Sequence, residues 1–190
     1  VVYQIVEDKE GLMWLTTNNG LVSFQPATGA MKVYTTANGL LGEQFNYRSS
    51  FETEDGTIYL GSIDGFVAFN PKNFSENKSL PSIVITDFLL FGKEVYPGDP
   101  SSPLKKSINF LDELVLQPDQ NSFSFRVAAL DFQAPRMNQI MYKLDGFDDE
   151  WLPVGESPVV SYSNLWYGNY TFRVKASNSD GVWNENEVSL

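Results

Sequence analysis

Four acidic side chains near residue 150 are the group best suited to chemistry. They are Asp145, Asp148, Asp149 and Glu150. Carboxylates of this kind could hold a calcium ion through oxygen ligands, or two of them could hydrolyse a glycosidic bond. Their spacing is not that of an EF-hand loop, and no motif distinguishes a catalytic pair among the 24 acidic residues of the chain. We favour a solvated turn before Trp151, with ion binding as the open alternative, and predict no catalytic residue, metal site or cofactor.

Two residue types that carry much of enzyme chemistry are absent from the sequence. The chain has no Cys and no His. This excludes disulfides, thiolate catalysis, Ser-His-Asp triads and most transition-metal sites, so that only carboxylate, Tyr or Lys chemistry is left. The formal charge of -11 also argues against nucleic acid and anionic membrane surfaces as partners. The composition therefore favours a binding or structural module over an enzyme.

Four aromatic residues could stack on sugar rings. Trp14 and Tyr59 occupy equivalent positions of an internal repeat, which predicts a structural role in packing for both. Trp166 and Tyr167 are adjacent and lie at the tip of a predicted loop. We therefore predict that this second pair forms an exposed contact surface.

An internal repeat defines the first part of the chain. Residues 56–71 (GTIYLGSIDGFVAFNP) repeat residues 11–26 (GLMWLTTNNGLVSFQP) at an offset of about 45 residues. A repeat of that length with several short strands is typical of a β-propeller blade. The first unit has a fourth predicted strand at residues 31–34, and the second has none. Two units cannot close a ring, so we expect further blades before Val1.

The rest of the chain predicts an antiparallel sandwich. Residues 75–82 (SENKSLPS) form a predicted polar linker, which divides the chain into domains 1–81 and 82–190. Strands are predicted at 83–91, 108–116 and 122–132, then from Tyr142 and from Tyr170 onward, because apolar and polar residues alternate there. The predicted fold is therefore all-β, with two propeller-type blades followed by an immunoglobulin-like, fibronectin III-like β-sandwich.

The sandwich resembles the Y_Y_Y domain of bacterial sensor proteins, and the repeats resemble two-component regulator propeller repeats. The motif residues that carry the first resemblance are Tyr142, Gly146, Trp151, Tyr162, Leu165, Gly168, Tyr170, Gly181 and Trp183. The resemblance implies structural roles for them. In particular, we expect Tyr170 to be largely buried, with its hydroxyl bonded to the backbone near Leu165, as at the tyrosine corner of a sandwich.

The combination of both motifs resembles the periplasmic sensor region of Bacteroides-type hybrid two-component systems. The resemblance implies a non-catalytic piece of an inner-membrane histidine kinase, which senses glycan-derived oligosaccharides and relays the signal across the membrane. It also implies that absent blades bind most of the ligand, that the intact protein is a homodimer, and that this piece itself does not enter the membrane. We expect residues 184–190 to begin a final strand that the parent protein completes shortly after Leu190, and a membrane helix to follow it. The alternative is a non-catalytic accessory or adhesion module of a surface carbohydrate-active protein.

Overall fold

The computed structural model describes residues 1–74 and 77–190, which form two compact units, Val1–Glu76 and Asn77–Leu190. Ser75 and Glu76, the first residues of the predicted linker, lie outside the described residues. The remaining linker residues belong to the second unit. The regular structure is antiparallel sheet with four short 3-10 turns among the described residues, which confirms the predicted all-β class. No helix in the described residues is long and apolar enough to cross a membrane.

The first unit consists of two antiparallel sheets. The four-stranded sheet has the order β1-β2-β3-β4 and the three-stranded sheet has the order β5-β6-β7, so within the described residues the second repeat has no outer strand, as predicted. The strands are β1 (Val2–Glu7), β2 (Met13–Thr17), β3 (Leu21–Gln25), β4 (Ala30–Tyr34), β5 (Phe45–Glu52), β6 (Ile58–Ser62) and β7 (Gly65–Phe69).

The two repeats share one strand register but bury opposite faces. Leu15 pairs with Val22 in the first hairpin, and Leu60 pairs with Val67 at the equivalent positions of the second. In the first sheet the face with Trp14 and Leu21 is buried, and in the second sheet the opposite face is buried, with Ile58 and Leu60 in the same core cluster. The face of the first sheet that carries Trp14 therefore packs against the face of the second sheet that carries Ile58 and Leu60, which is not the equivalent face.

The turns before β2 and β6 are built alike from different residues. Asp8 accepts hydrogen bonds at Oδ1 from the Glu10 and Leu12 N–H groups, and Thr53 accepts at Oγ1 from the Thr57 N–H. Asp8 also accepts at Oδ2 from Trp14 Nε1 at 2.9 Å. A buried indole N–H needs an acceptor. Asp8 supplies that acceptor for Trp14 in the first repeat, and Thr53 stands at the equivalent position of the second repeat.

The second unit is a two-sheet sandwich, as the sequence predicts. One sheet has the strand order β13-β10-β8-β9, and the other has the order β12-β11-β14-β15. The strands are β8 (Ser82–Leu90), β9 (Lys93–Glu94), β10 (Ser122–Leu130), β11 (Gln139–Asp145), β12 (Leu152–Pro153), β13 (Val159–Ser163), β14 (Thr171–Ser177) and β15 (Val188–Ser189).

Aromatic and branched side chains from both sheets form the sandwich core. Phe125 of β10 and Phe172 of β14 stack across the sheets, with ring centroids 4.3 Å apart. Phe172, Val174 and Ala176 are all buried, whereas Thr171 on the polar side of β14 is exposed. This alternation is the one that the sequence predicts for this strand.

The predicted strand at 108–116 is wrong. This segment begins with a 3-10 turn, Ile108–Phe110, and has no strand. The Asn109 side chain instead takes the place of a neighbouring strand, because its Oδ1 accepts from the Ile85 N–H at 3.0 Å and its Nδ2 donates to the Ile85 carbonyl at 2.7 Å. The alternation of apolar residues in this segment therefore reflects packing of Ile108, Leu111, Leu114 and Leu116 on the core without a strand ladder.

Candidate functional site

Asp148 of the acidic group is bonded within the sandwich. It follows the turn after β11, and its Oδ2 accepts from the Leu144 N–H at 2.7 Å and from the Tyr162 hydroxyl at 2.8 Å. Tyr162 is buried on β13, in the opposite sheet to β11. Asp148 therefore joins the two sheets at one end of the sandwich.

The other acidic residues of the group lie at the surface, and two of them contact cations. Asp145 lies 3.2 Å from Arg173 and 3.6 Å from Lys143. The Lys143 ammonium also donates to the Asp149 carbonyl at 3.1 Å. In residues 1–74 and 77–190, no group of three or more His, Cys, Asp or Glu residues could hold a metal ion. The geometry of the group fits a structured, partly ion-paired turn.

The predicted motif tyrosines lie near Asp148. Burial raises the pKa of Tyr162 far above its usual value, and the hydrogen bond to Asp148 and the carboxylate charge raise it further. Burial, followed by the charge of Asp148, also raises the pKa of Tyr142 on β11. The two rings meet edge to face, with centroids 6.4 Å apart. The raised pKa of each phenol keeps it protonated, so Tyr162 remains a hydrogen-bond donor to Asp148.

The motif tryptophans lie on the polar face of β14. The Lys175 ammonium lies 4.7 Å from the Trp151 ring centroid and 5.6 Å from that of Trp183. The Arg173 guanidinium is also over Trp151, at 5.2 Å. A cation over the face of an indole ring forms a cation–π interaction that stabilises the pair by roughly 0.5–2 kcal/mol. Trp151 and Trp183 are thus held on this face of the sheet by cation–π contacts with side chains of β14.

Tyr170 forms the corner that the sequence predicts. Its hydroxyl donates to the Trp166 carbonyl at 3.2 Å, next to Leu165, which packs on the core. Gly146 and Gly168 lie against its ring. Tyr170 is partly buried and packs against the sandwich core.

The proposed contact residues are on the surface at the tip of the same loop. Trp166 is 81% exposed and Tyr167 is 95% exposed. Phe147, in the turn after β11, is also exposed, and its ring contacts the buried Tyr162 ring at 5.7 Å. This end of the sandwich therefore carries three exposed aromatic side chains on two loops that meet at Tyr162 and Tyr170.

A buried polar cluster at the other end of the sandwich was missed by sequence reasoning. It contains Asn77, Asp131 and Asn178, all buried. The Asn178–Gly181 stretch reads as a turn in the sequence, and the turn is present, with the Gly181 N–H donating to the Asn178 carbonyl at 3.0 Å. A turn asparagine gives no sequence signal that distinguishes an exposed side chain from a buried one that binds a distant segment.

Comparison with known families and relatives identifies the class of domain. Residues 131–190 match the Y_Y_Y domain, and residues 1–19 match the two component regulator propeller. Residues 131–190 contain every motif residue on which the Y_Y_Y resemblance was based. These matches confirm both resemblances over the residues matched, which are the last part of the sandwich and the start of the first repeat.

Relatives of the whole chain come from sensor proteins. The chain is 33% identical over 189 residues to histidine kinase P4 of Formosa agariphila. The aligned region covers 100% of this chain but only 14% of that protein. It also resembles the extracellular domain of a protein described as a hybrid two component system of B. thetaiotaomicron, with 26% identity and a TM-score of 0.77 over 100% of this chain and 25% of that one. The chain thus spans a small part of each relative and resembles the extracellular region of two-component sensors.

Proposed function

We propose that this chain is part of the periplasmic sensor region of a hybrid two-component histidine kinase. In this proposal the protein is anchored in the inner membrane, acts as a homodimer, and relays the binding of glycan-derived oligosaccharides to the kinase. The observation that carries the proposal is the similarity to histidine kinase P4 along the whole chain, both repeats and sandwich together. A sandwich that served as an interchangeable spacer would not require this combination.

The exposed faces of the two repeat sheets support further blades in the parent protein. The outer face of the first sheet exposes Ile5, Met31 and Val33, and the outer face of the second exposes Phe51 and Phe66. Large exposed apolar patches mark surfaces that another element covers. Since the two sheets stack with unlike faces together, the same contact can repeat on both sides, as in a propeller.

The geometry also supports a ligand site formed mainly by other blades. A groove beside β4 has a volume of about 230 Å³ and is lined by Ser23, Gln25, Lys32, Tyr34 and four other residues. This volume is below the roughly 300–1,000 Å³ of typical small-molecule sites. We therefore expect this chain alone to bind oligosaccharides weakly or not at all.

Reconstitution of the parent protein tests the proposal. The intact kinase in lipid vesicles should increase autophosphorylation when one member of an oligosaccharide panel is added, and the same sugar should bind its whole extracellular region in calorimetric titration. This chain alone should give no comparable heat. A parent protein with no kinase sequence, or a response to none of the sugars, would contradict the proposal. Micromolar binding by this chain alone would place the ligand site within residues 1–190.

A further inference from the structure

One buried amide side chain joins two parts of the sandwich that are far apart in sequence. Asn178, which is 0% exposed, donates from Nδ2 to the Asn77 carbonyl and, at 2.8 Å, to the Ser79 carbonyl. Its Oδ1 accepts from the N–H groups of Asp180 at 2.9 Å and Val182 at 3.0 Å. Both ends of this side chain are therefore fully used, one by segment 77–81 and the other by the turn after β14.

The same segment is held from three other positions. The Asn77 N–H donates to Asp180 Oδ2 at 2.7 Å, and Asn77 Nδ2 donates to the buried Asp131 Oδ2 at 2.9 Å. Asn184 Nδ2 donates to the Pro81 carbonyl at 2.9 Å. We call the five side chains that form these bonds the clamp; they are Asn77, Asp131, Asn178, Asp180 and Asn184. Buried groups of this kind are costly to leave unpaired, so the segment and the turn stabilise each other.

The turn is connected to the length of β14. Ser177, the last residue of β14, forms a bridge with Trp183, whose ring lies over the Lys175 ammonium. Near the other end of the strand, Phe172 and Leu190 exchange two backbone hydrogen bonds of 2.9 and 3.0 Å. A displacement of the turn would therefore act on β14 and on its pairing with the final residues.

We propose that segment 77–81 is the input element of the sandwich and that the clamp couples its position to the β14 turn. The segment precedes the part of the chain that matches the Y_Y_Y domain, and the family match gives it no role. The coupling stands on the hydrogen bonds alone. Its use in relaying a signal rests on the proposed sensor function.

Hydrogen exchange of this chain tests the coupling. Asn77→Ala removes the bonds of one side chain to Asp131 and Ser79 and leaves every residue of the turn unchanged. We expect the Ser79 amide to exchange at least about tenfold faster, together with the amides of Asp180 and Val182, while β10 amides keep their protection. The control is Asn169→Ala, an exposed residue in the loop before β14, which should change none of these rates.

Each other outcome would overturn the inference. Unchanged exchange at Ser79 would show that the clamp does not hold the segment, and faster exchange at Ser79 alone would show that the segment and the turn are independent. If Asn77→Ala loses the fold, Asn184→Ala provides the same comparison, since it removes the bond to the Pro81 carbonyl together with the local bond from the Asn186 N–H. In the intact parent kinase, Asn77→Ala should keep basal autophosphorylation and lose most of the ligand response. A wild-type parent that ignores every sugar contradicts the proposed function and leaves the exchange result to decide on the clamp.

Discussion

Trp14 and Tyr59 occupy equivalent positions in two hairpins of the same register, yet Trp14 is 1% exposed and Tyr59 is 38% exposed. Trp14 lies on the face of the first sheet that packs against the second sheet, and Tyr59 lies on the face of the second sheet that points away from the first. The difference arises from the order in which the sheets stack. A third sheet would therefore pack on the exposed face of the second sheet that carries Tyr59.

Replacing these two aromatics should have unequal effects on stability. Trp14 contacts the rings of Phe69 and Phe74 at 4.6 and 5.2 Å and donates to Asp8. We expect Trp14→Ala to lower the free energy of unfolding of the first unit by about 3–5 kcal/mol, as for other buried aromatics. Tyr59→Ala should cost less than about 1.5 kcal/mol, since much of its ring is already in water. Chemical denaturation followed by circular dichroism would compare them, and equal losses would contradict the stacking order.

The outer face of the second sheet should become protected in a longer protein. We expect hydroxyl radicals to oxidise Tyr59 and Phe66 readily in this chain and several-fold less in the intact extracellular region of the parent, because a neighbouring blade would cover them. Trp14 should be modified little in both proteins and serves as the internal control. Mass spectrometry of the digested proteins gives the three rates. Equal modification of Phe66 in both would show that no blade packs on this face.

The repeats and most strands could be predicted because their signals are local. The Gly20 and Gly65 turns, and the alternation of Phe172, Val174 and Ala176, fix hairpins and faces within a few residues. The segment at 108–116 has the same alternation and forms no strand, because the Asn109 amide occupies the β8 edge that a strand would need. A strand edge that is hydrogen-bonded by a side chain gives no periodic pattern in the sequence, so it cannot be predicted from alternation.

The polar clusters could not be predicted because their partners are distant in sequence. The sequence predicts a solvated turn at Asp148; the turn is present, but the side chain bonds to the buried Tyr162, which depends on how the two sheets face each other. Asn178 was likewise read as a turn residue, and its bonds to Asn77 and Ser79 cross about 100 positions. Turn chemistry explains the backbone at both places, and the fold decides what else each side chain binds.

The corner at Tyr170 should respond to small changes. We expect Tyr170→Phe to lower the free energy of unfolding of the sandwich by about 0.5–1.5 kcal/mol through loss of the bond to the Trp166 carbonyl. Tyr170→Ala should cost less than the roughly 3–5 kcal/mol of a fully buried aromatic. Equal stability of all three proteins in chemical denaturation would show that the corner contributes nothing.

A glycine beside this corner gives an independent check of its packing. Gly146 has a φ of +93°, and a Cβ there would lie 3.2 Å from Tyr170 Cδ1. Gly146→Ala should therefore cost at least about 1 kcal/mol through backbone strain. Gly155→Ala, at a position with open space, is the matched control in the same denaturation experiment. Similar stability of the two variants would contradict both the strained backbone conformation at Gly146 and its close approach to the ring.

Tyr162 should make the sandwich less stable in alkali. Its pKa in the folded protein is raised above the ordinary value of 10.0 by burial and by the bond to Asp148. Above about pH 10 the unfolded chain loses this proton while the folded chain keeps it, so the free energy of unfolding falls as pH rises; below that value the contribution is fully present.

Tyr162→Phe should lower stability at pH 7 by about 1.5–3 kcal/mol, because the bond to a carboxylate is lost. It should also make the decline above pH 10 shallower. Urea titrations from pH 7 to 11.5 measure both effects, with Tyr167→Phe, which removes an exposed hydroxyl, as the control. Parallel pH profiles for wild type and Tyr162→Phe would show that this phenol ionises equally in the folded and unfolded states, and would contradict the Asp148 link between the sheets.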